Sequence, residues 1–267
     1  QGWDGSNNEI DLVTKTVEPR GDEKELAEIT DLIGSYTTNF ASSSAGRAKN
    51  VITGVSKVDG TILYPGEEFD LAKTVSPFTQ ENGYELAGAY QNGTVVESFG
   101  GGICQVATTL YNAVIRAELE ITMRFNHSML VHYVEPSMDA AIAGNYKDLK
   151  FKNNLDAPVY IEGYCSGGII YFNVYGKETR PSNREISFES ETVSKTDPKV
   201  QFTMDASLTA GSVSVTQSGQ SGCIAQLWKI VKVDGKQQSR DLFNKSNYQA
   251  TPKLITIGCL LYTSDDA

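Results

Sequence analysis

The chain has 267 residues and a formal net charge of −10. An apolar fraction of 40%, with 13 Tyr and 10 Phe, supplies enough for real cores and excludes a disordered chain. The acidic balance argues against nucleic acid as a partner, because phosphate binding takes clustered Lys and Arg. No apolar run reaches the ~18 residues of a membrane span, and no basic-then-apolar leader opens the chain. Position 1 is Gln, so the sequence reads as starting mid-protein, with any membrane anchor confined to what precedes it. Cys104, Cys165, Cys223 and Cys259 are too scattered for a disulfide scaffold, and no two form a CxxC. With only His127 and His132 beside them, neither a metal nor a cofactor is expected.

Residues 1–29 read as the end of an upstream domain, with a last strand at 9–13 and a short helix over 22–33. Residues 47–58 carry β signals in Val51, Ile52, Val55 and Val58, and Asp59-Gly60 predicts a hairpin turn into 61–64. Pro65-Gly66 marks a turn, and Asn92-Gly93 a second hairpin between Tyr90 and Thr94. Gly100, Gly101 and Gly102 break the chain. The clearest helix follows over 104–118, where Val106, Leu110, Ala113, Val114 and Ala117 repeat at three- and four-residue steps. Strands are expected at 121–125, 129–134, 149–153, 159–163 and 169–175, with Ser166-Gly167-Gly168 turning between the last two. Strands around one central helix predict an α+β domain over 30–178. Residues 179–200 read as a polar linker. Residues 201–258 read as a separate, small all-β domain, and 259–267 continue no pattern and read as a non-native tail.

The chemistry concentrates at the glycine triplet. Cys104 stands where the helix begins, and the positive end of a helix favours a thiolate, the nucleophilic form. Gln105 is placed to donate to an oxyanion, and the glycines allow close approach by a ligand. His127 follows as a candidate base and Asp139 as its acid. Cysteine on a helix, then histidine, then an acid is the order of transglutaminase-like and papain-like enzymes, an analogy of arrangement. The competing reading is structural: Cys104 plugs a core, His127 and Asp139 cap backbone groups, and the glycines mark a close backbone crossing. His132, flanked by Val131 and Tyr133, reads as part of a solvated strand face.

The run Gly100-Gly101-Gly102-Ile103-Cys104-Gln105-Val106-Ala107-Thr108-Thr109-Leu110-Tyr111-Asn112-Ala113 resembles the signature of the VanW family. Pro65-Gly66-Glu67-Glu68-Phe69, Arg124-Phe125-Asn126-His127-Ser128, Tyr133-Val134-Glu135-Pro136 with Asp139-Ala140, and Pro158-Val159-Tyr160-Ile161 resemble its other motifs in the same order. Ser137-Met138 departs from the family's glycine-containing turn before Asp139. The resemblance adds Arg124 to the candidate binding residues. Residues 201–258 resemble the G-five domain through the 213–222 run, Asp234-Gly235, Tyr248, Pro252 and Thr256-Ile257-Gly258, and Phe243 and Tyr248 offer rings to a glycan. These resemblances imply an extracellular protein in the wall of a Gram-positive bacterium, with peptidoglycan or another wall glycan as partner. The first reading is a module that binds or organises peptidoglycan. The alternative is a cysteine-dependent amidase, peptidase or transpeptidase using Cys104 and His127. Binding of a glycopeptide antibiotic has only the family name behind it.

Overall fold

In a computed structural model of the chain, the described residues are 21–91, 94–144 and 146–258. The strand expected at 9–13 and the tail at 259–267 lie outside them. Helix α1 (Glu23–Leu26) is capped by the Asp22 carboxylate, which accepts from the Glu25 N–H at 2.8 Å. It is shorter than the 22–33 helix expected, because Asp31 already opens strand β1 (Asp31–Asn39).

Helix α2 (Ala45–Val58) stands where sequence signals favoured a strand. The Ser44 hydroxyl caps it, and Val51, Val55 and Val58 fall at steps of four and three on its buried face. The helical period of these valines overrides their β propensity once one face can be buried. Gly54 on that face lies against the start of the long helix at Ile103: a Cβ there would sit 2.5 Å from Ile103 Cδ1. Asp59-Gly60 is therefore the end of a helix and not a hairpin.

Short elements follow: β2 (Thr61–Leu63), β3 (Glu68–Asp70) and α3 (Leu71–Val75). Strands β4 (Leu86–Gln91) and β5 (Thr94–Phe99) pair antiparallel with Tyr90 opposite Val95. The expected Asn92-Gly93 turn between them lies outside the described residues. Helix α4 (Ile103–Arg116) is the central helix, buried from Ile103 to Ile115 except at Cys104. After β6 (Glu120–Met123), residues 124–142 form neither helix nor strand, so the strand expected at 129–134 is absent. Then come β7 (Lys150–Lys152), β8 (Val159–Ser166) and β9 (Ile169–Gly176).

A four-stranded antiparallel sheet of order β1-β9-β8-β2 backs the helices, with α4 over β1 and β9 and α2 over β8. Val106, Leu110 and Val114 of α4 meet Val51, Val55 and Val58 of α2 and Ile161, Phe172 and Val174 of the sheet in one core. Each fully buried aliphatic or aromatic side chain contributes about 1.5–3 kcal/mol. A second sheet, β3-β7-β6, closes the side. The strand-rich α+β expectation holds, with α2 as a second long helix beside the central one.

The polar stretch 179–200 contains strand β10 (Arg184–Thr196), so only its first residues and a short turn serve as connector. Strands β11 (Val200–Asp205), β12 (Val213–Gln217), β13 (Gly222–Val233), β14 (Lys236–Tyr248) and β15 (Lys253–Gly258) complete two three-stranded sheets. One has the order β10-β13-β14, and the other β11-β15-β12 with β11 parallel to β15. This all-β unit does not keep a core to itself. Leu227 of β13 is fully buried in the main core, and Phe188 and Phe243 pack against that core and edge to face with each other, their ring centroids 5.1 Å apart. Glu118, just past α4, ties the units together by accepting from Arg184 at 2.6 and 2.9 Å and pairing with Lys229 and Arg180. Burial raises the Glu118 carboxyl, but its bonds to Arg184 and Lys229 outweigh that and hold it down at about 2.

Candidate active site

Three glycines set the entry to α4. Gly100 and Gly102 take φ values of +79° and +112°, which side chains resist. A Cβ on Gly101 would meet the Ala87 carbonyl oxygen at 2.6 Å. The Gly101 carbonyl in turn accepts from Asn50 Nδ2 at 3.0 Å. The triplet is thus a close backbone crossing that fixes the helix start. Gly102 provides no side-chain cap, and the half-buried thiol of Cys104 stands in the first turn of α4.

Cys104, Thr108 and Asn112 share one face of α4 at steps of four, and this polar stripe holds the loop opposite. Cys104 Sγ donates to the Ile142 carbonyl at 3.4 Å. Thr108 Oγ1 donates to the Ala140 carbonyl at 3.1 Å and accepts from its N–H at 3.0 Å. Asn112 Nδ2 donates to the Met138 carbonyl at 2.6 Å. The loop is thereby laid along the helix with Asp139 at its centre and His127 beside the thiol.

His127 Nδ1 donates to Asp139 Oδ2 at 2.6 Å, and the His127 backbone N–H donates to the same oxygen at 2.7 Å. The tautomer is thereby set, and Nε2 is left for the sulfur. Burial pushes the Cys104 thiol up, but a hydrogen bond from His127 and its charge outweigh this and bring the thiol below its usual value. Burial would lower His127, yet its bonds to Asp139 and Cys104 raise it to about 9. Both shifts run toward a thiolate beside an imidazolium, and the S–H donated to the Ile142 carbonyl belongs to the neutral thiol. Burial raises Asp139, while its bond to His127 and the charges of His127 and Arg124 hold it below the usual carboxylate range. Tyr133 stands edge-on to the His127 ring at 6.5 Å.

Three of the candidates from sequence therefore converge: Cys104, His127 and Asp139. Ser137 takes φ +67°, a conformation that favours glycine, and the chain beyond it brings Asp139 to His127. Other candidates do different work. Gln105 is buried, donates to Thr38 Oγ1 and the Asn39 carbonyl at 3.1 and 2.9 Å, and accepts from Arg47, so its amide is not free for an oxyanion. Arg124 is turned inward, donating to the Asp139 carbonyl at 2.7 Å and to Asp139 Oδ1 at 3.0 Å. Tyr248 is 2% exposed and Phe243 packs on Phe188, so neither presents a ring to a glycan. His132 is exposed but lies in no strand. Thr108, Asn112 and Tyr133 were not singled out from sequence. Polar residues at steps of four in an otherwise apolar helix were the readable sign of the first two.

A cavity of about 370 Å³ lies at the far end of α4, lined by Ile33, Ser35, Arg116, Arg180 and Arg184 among others, and is separate from the thiol.

Residues 46–175 match the family described as VanW like protein, and residues 188–259 match the G5 domain. The chain carries a VanW domain followed by a G5 domain. Over 172 residues it is 34% identical to an uncharacterized protein of Bacillus subtilis (strain 168), YoaR, covering 64% of this chain and 57% of that one. Over 118 residues it is 26% identical to the vancomycin B-type resistance protein VanW of Enterococcus faecalis (strain ATCC 700802 / V583), covering 42% of each. The chain spans about half the length of these curated relatives. Among solved structures it is similar to an IgA1 protease G5 domain, with 24% identity over 29% of this chain and 93% of that chain, at a TM-score of 0.22. The glycine triplet, Cys104, His127 and Asp139 all fall inside the VanW domain.

Proposed function

We propose that this protein is a cell-surface, cysteine-dependent acyl-transfer enzyme acting on peptidoglycan peptides. The observation that carries the reading is the Nδ1–Oδ2 bond of 2.6 Å that orients His127 toward a thiol whose ionisation it favours. A nucleophile, a base and an orienting acid in hydrogen-bond sequence is the arrangement that acyl transfer needs. The Cys104 thiolate attacks an amide carbonyl carbon, and the C–N bond breaks as the His127 imidazolium gives its proton to the departing amine. The thioester is then resolved by water or by a second amine, whose proton returns to His127. Water makes the protein a peptidase or amidase, and an amine makes it a transpeptidase. The cell wall as setting is supported by the similarity to a vancomycin B-type resistance protein and by the accompanying G5 domain.

Binding of wall glycan is a companion role of the G5 domain. It falls to a different surface from the one expected of Phe243 and Tyr248. Val200, Phe202 and Met204 of β11 are exposed on one face of the β11-β15-β12 sheet, which Val213 and Val215 of β12 continue.

The test is turnover of purified muropeptides followed by mass spectrometry. Cys104→Ala is expected to abolish both released and exchanged products with the fold intact by circular dichroism. Turnover that persists in Cys104→Ala, or a Cys104 thiol no faster toward iodoacetamide than an ordinary one, would sink catalysis and leave the binding reading alone.

A further inference from the structure

The segment that carries both His127 and Asp139 has no regular structure of its own, and a loop with few backbone bonds is mobile unless other groups tie it down. Within 124–142 the backbone supplies only isolated contacts, such as Ala141 N to the Phe125 carbonyl at 2.8 Å. Much of the remaining support comes from strand β14 of the G5 domain. Asn244, Ser246 and Tyr248 alternate along β14 and so share one face. Asn244 Nδ2 donates to Tyr111 Oη at 2.7 Å and to the Ser137 carbonyl at 3.2 Å. Ser246 Oγ accepts from Arg124 Nη1 at 2.9 Å. Next to them, Asn126 Nδ2 donates to the Asn247 carbonyl at 3.0 Å, and Gln249 N donates to the Ser128 carbonyl at 2.7 Å.

Tyr248 reaches furthest. Its hydroxyl accepts from the Ser137 N–H at 2.7 Å, which can only donate. The phenolic proton is therefore directed at Asp139 Oδ1, 2.5 Å away. The Asp139 carboxylate is thus divided. Oδ1 serves Tyr248 and Arg124, and Oδ2 serves the ring and backbone of His127.

We propose that the G5 domain is a working part of the active site: Tyr248, with Ser246 acting through Arg124, holds Asp139 and sets how strongly that carboxylate draws on His127. This rests on the reading of Cys104, His127 and Asp139 as catalytic. Tyr248 and Ser246 are positioning residues, since neither touches the thiol or a reacting atom. Two donors on Oδ1 withdraw charge from the carboxylate and make it a weaker acceptor at Oδ2. A carboxylate without them would hold the His127 proton too tightly for the imidazolium to protonate a leaving amine. An acid far weaker than its task is a poor proton donor. The consequence is that the VanW domain works at full rate only with its G5 neighbour docked.

The test uses the full chain with Tyr248→Phe, which removes the hydroxyl and keeps the ring. The His127 ring is titrated by NMR, and the rate of Cys104 alkylation by iodoacetamide is followed against pH. Tyr248→Phe is expected to move the His127 titration upward by half a pH unit or more, and the alkaline edge of the alkylation profile with it. Ser246→Ala, which frees one guanidinium nitrogen of Arg124, should move both in the same direction by less, and decides the matter if Tyr248→Phe does not fold. Unchanged titration and unchanged profile in a folded variant would overturn the proposal and make Tyr248 an interface filler. An ordinary thiol in the unmodified protein would count against catalysis alone, because the His127 titration reads the Tyr248–Asp139 contact whether or not the thiol reacts.

Discussion

Cys104 and Cys165 are both half-buried thiols of the VanW domain, one at the start of α4 and the other in β8. Burial is the largest influence on each and pushes each upward. At Cys165 nothing opposes it, and the thiol stands at about 11. At Cys104 the His127 ring reverses the sign. The supports differ as well. Cys165 rides on an antiparallel ladder, paired with Ile170 across β8 and β9. The Cys104 site is closed by an irregular loop that side chains of α4 and β14 hold in place. Burial disfavours a thiolate, and a positioned imidazole can reverse that preference even in a buried site. The sheet preserves geometry through its backbone. The loop preserves it through a handful of named polar contacts, so single substitutions can reach it.

The largest break in this comparison is His127→Ala. Without the imidazolium, burial alone should govern Cys104 as it governs Cys165. Alkylation at neutral pH is expected to fall by about two orders of magnitude, as for loss of a positioned base. The rate at Cys165, read from the same digest by mass spectrometry, should not change. Equal loss at both thiols would mean a general change of fold rather than loss of a partner.

Asp139→Asn acts one step further back and should cost about tenfold in alkylation. It also carries a sign in pH. His127 is raised from an ordinary 6.5 to about 9, so the stability it contributes is full below about 6.5 and is lost as pH rises to about 9. Asp139 is lowered from 3.8, so its contribution is present above that value and is lost on acidification. The stability difference between the unmodified protein and Asp139→Asn, from urea titrations, should therefore hold steady between about 4 and 6.5 and shrink toward pH 9. A difference that grows with pH would contradict the ion-pair account.

The three candidate residues that converge were legible because each rests on a local rule: a cysteine after a glycine triplet at a helix start, a histidine on the following segment, an acid beyond it. The roles of Gln105, Arg124 and Tyr248 were not, because a donor's partner is chosen by tertiary contact. Gln105 looks outward in sequence and turns to Thr38 and Asn39 in the fold. Tyr248 looks like a glycan platform and serves Asp139. In the fold, α2 was hidden by valine-rich composition, although Val51, Val55 and Val58 already carried a helical period. Strand β10 was hidden by its polarity, although Ile186 and Phe188 alternate as a strand requires.

The smallest expected effect is at Ser137, and it separates the loop's strain from its chemistry. Ser137 is fully buried at φ +67°, and its Oγ has no hydrogen-bond partner among the described residues. A left-handed conformation costs a residue with a Cβ about 1 kcal/mol or more. A buried, unpaired hydroxyl costs about 1–3 kcal/mol. Ser137→Gly removes both, while the freedom of glycine in the unfolded chain returns about 0.5–1 kcal/mol. The backbone groups of Ser137, which donate to Tyr248 and accept from Arg124 and Asn244, are kept by glycine. A net gain of about 1 kcal/mol corresponds to a rise of about 2–4 °C in Tm for a chain of this size. Calorimetry should show that rise, and Cys104 alkylation should stay at the rate of the unmodified protein. A lower Tm would mean that the Ser137 hydroxyl holds the loop, and the turn before Asp139 would then owe its shape to the side chain rather than to the backbone.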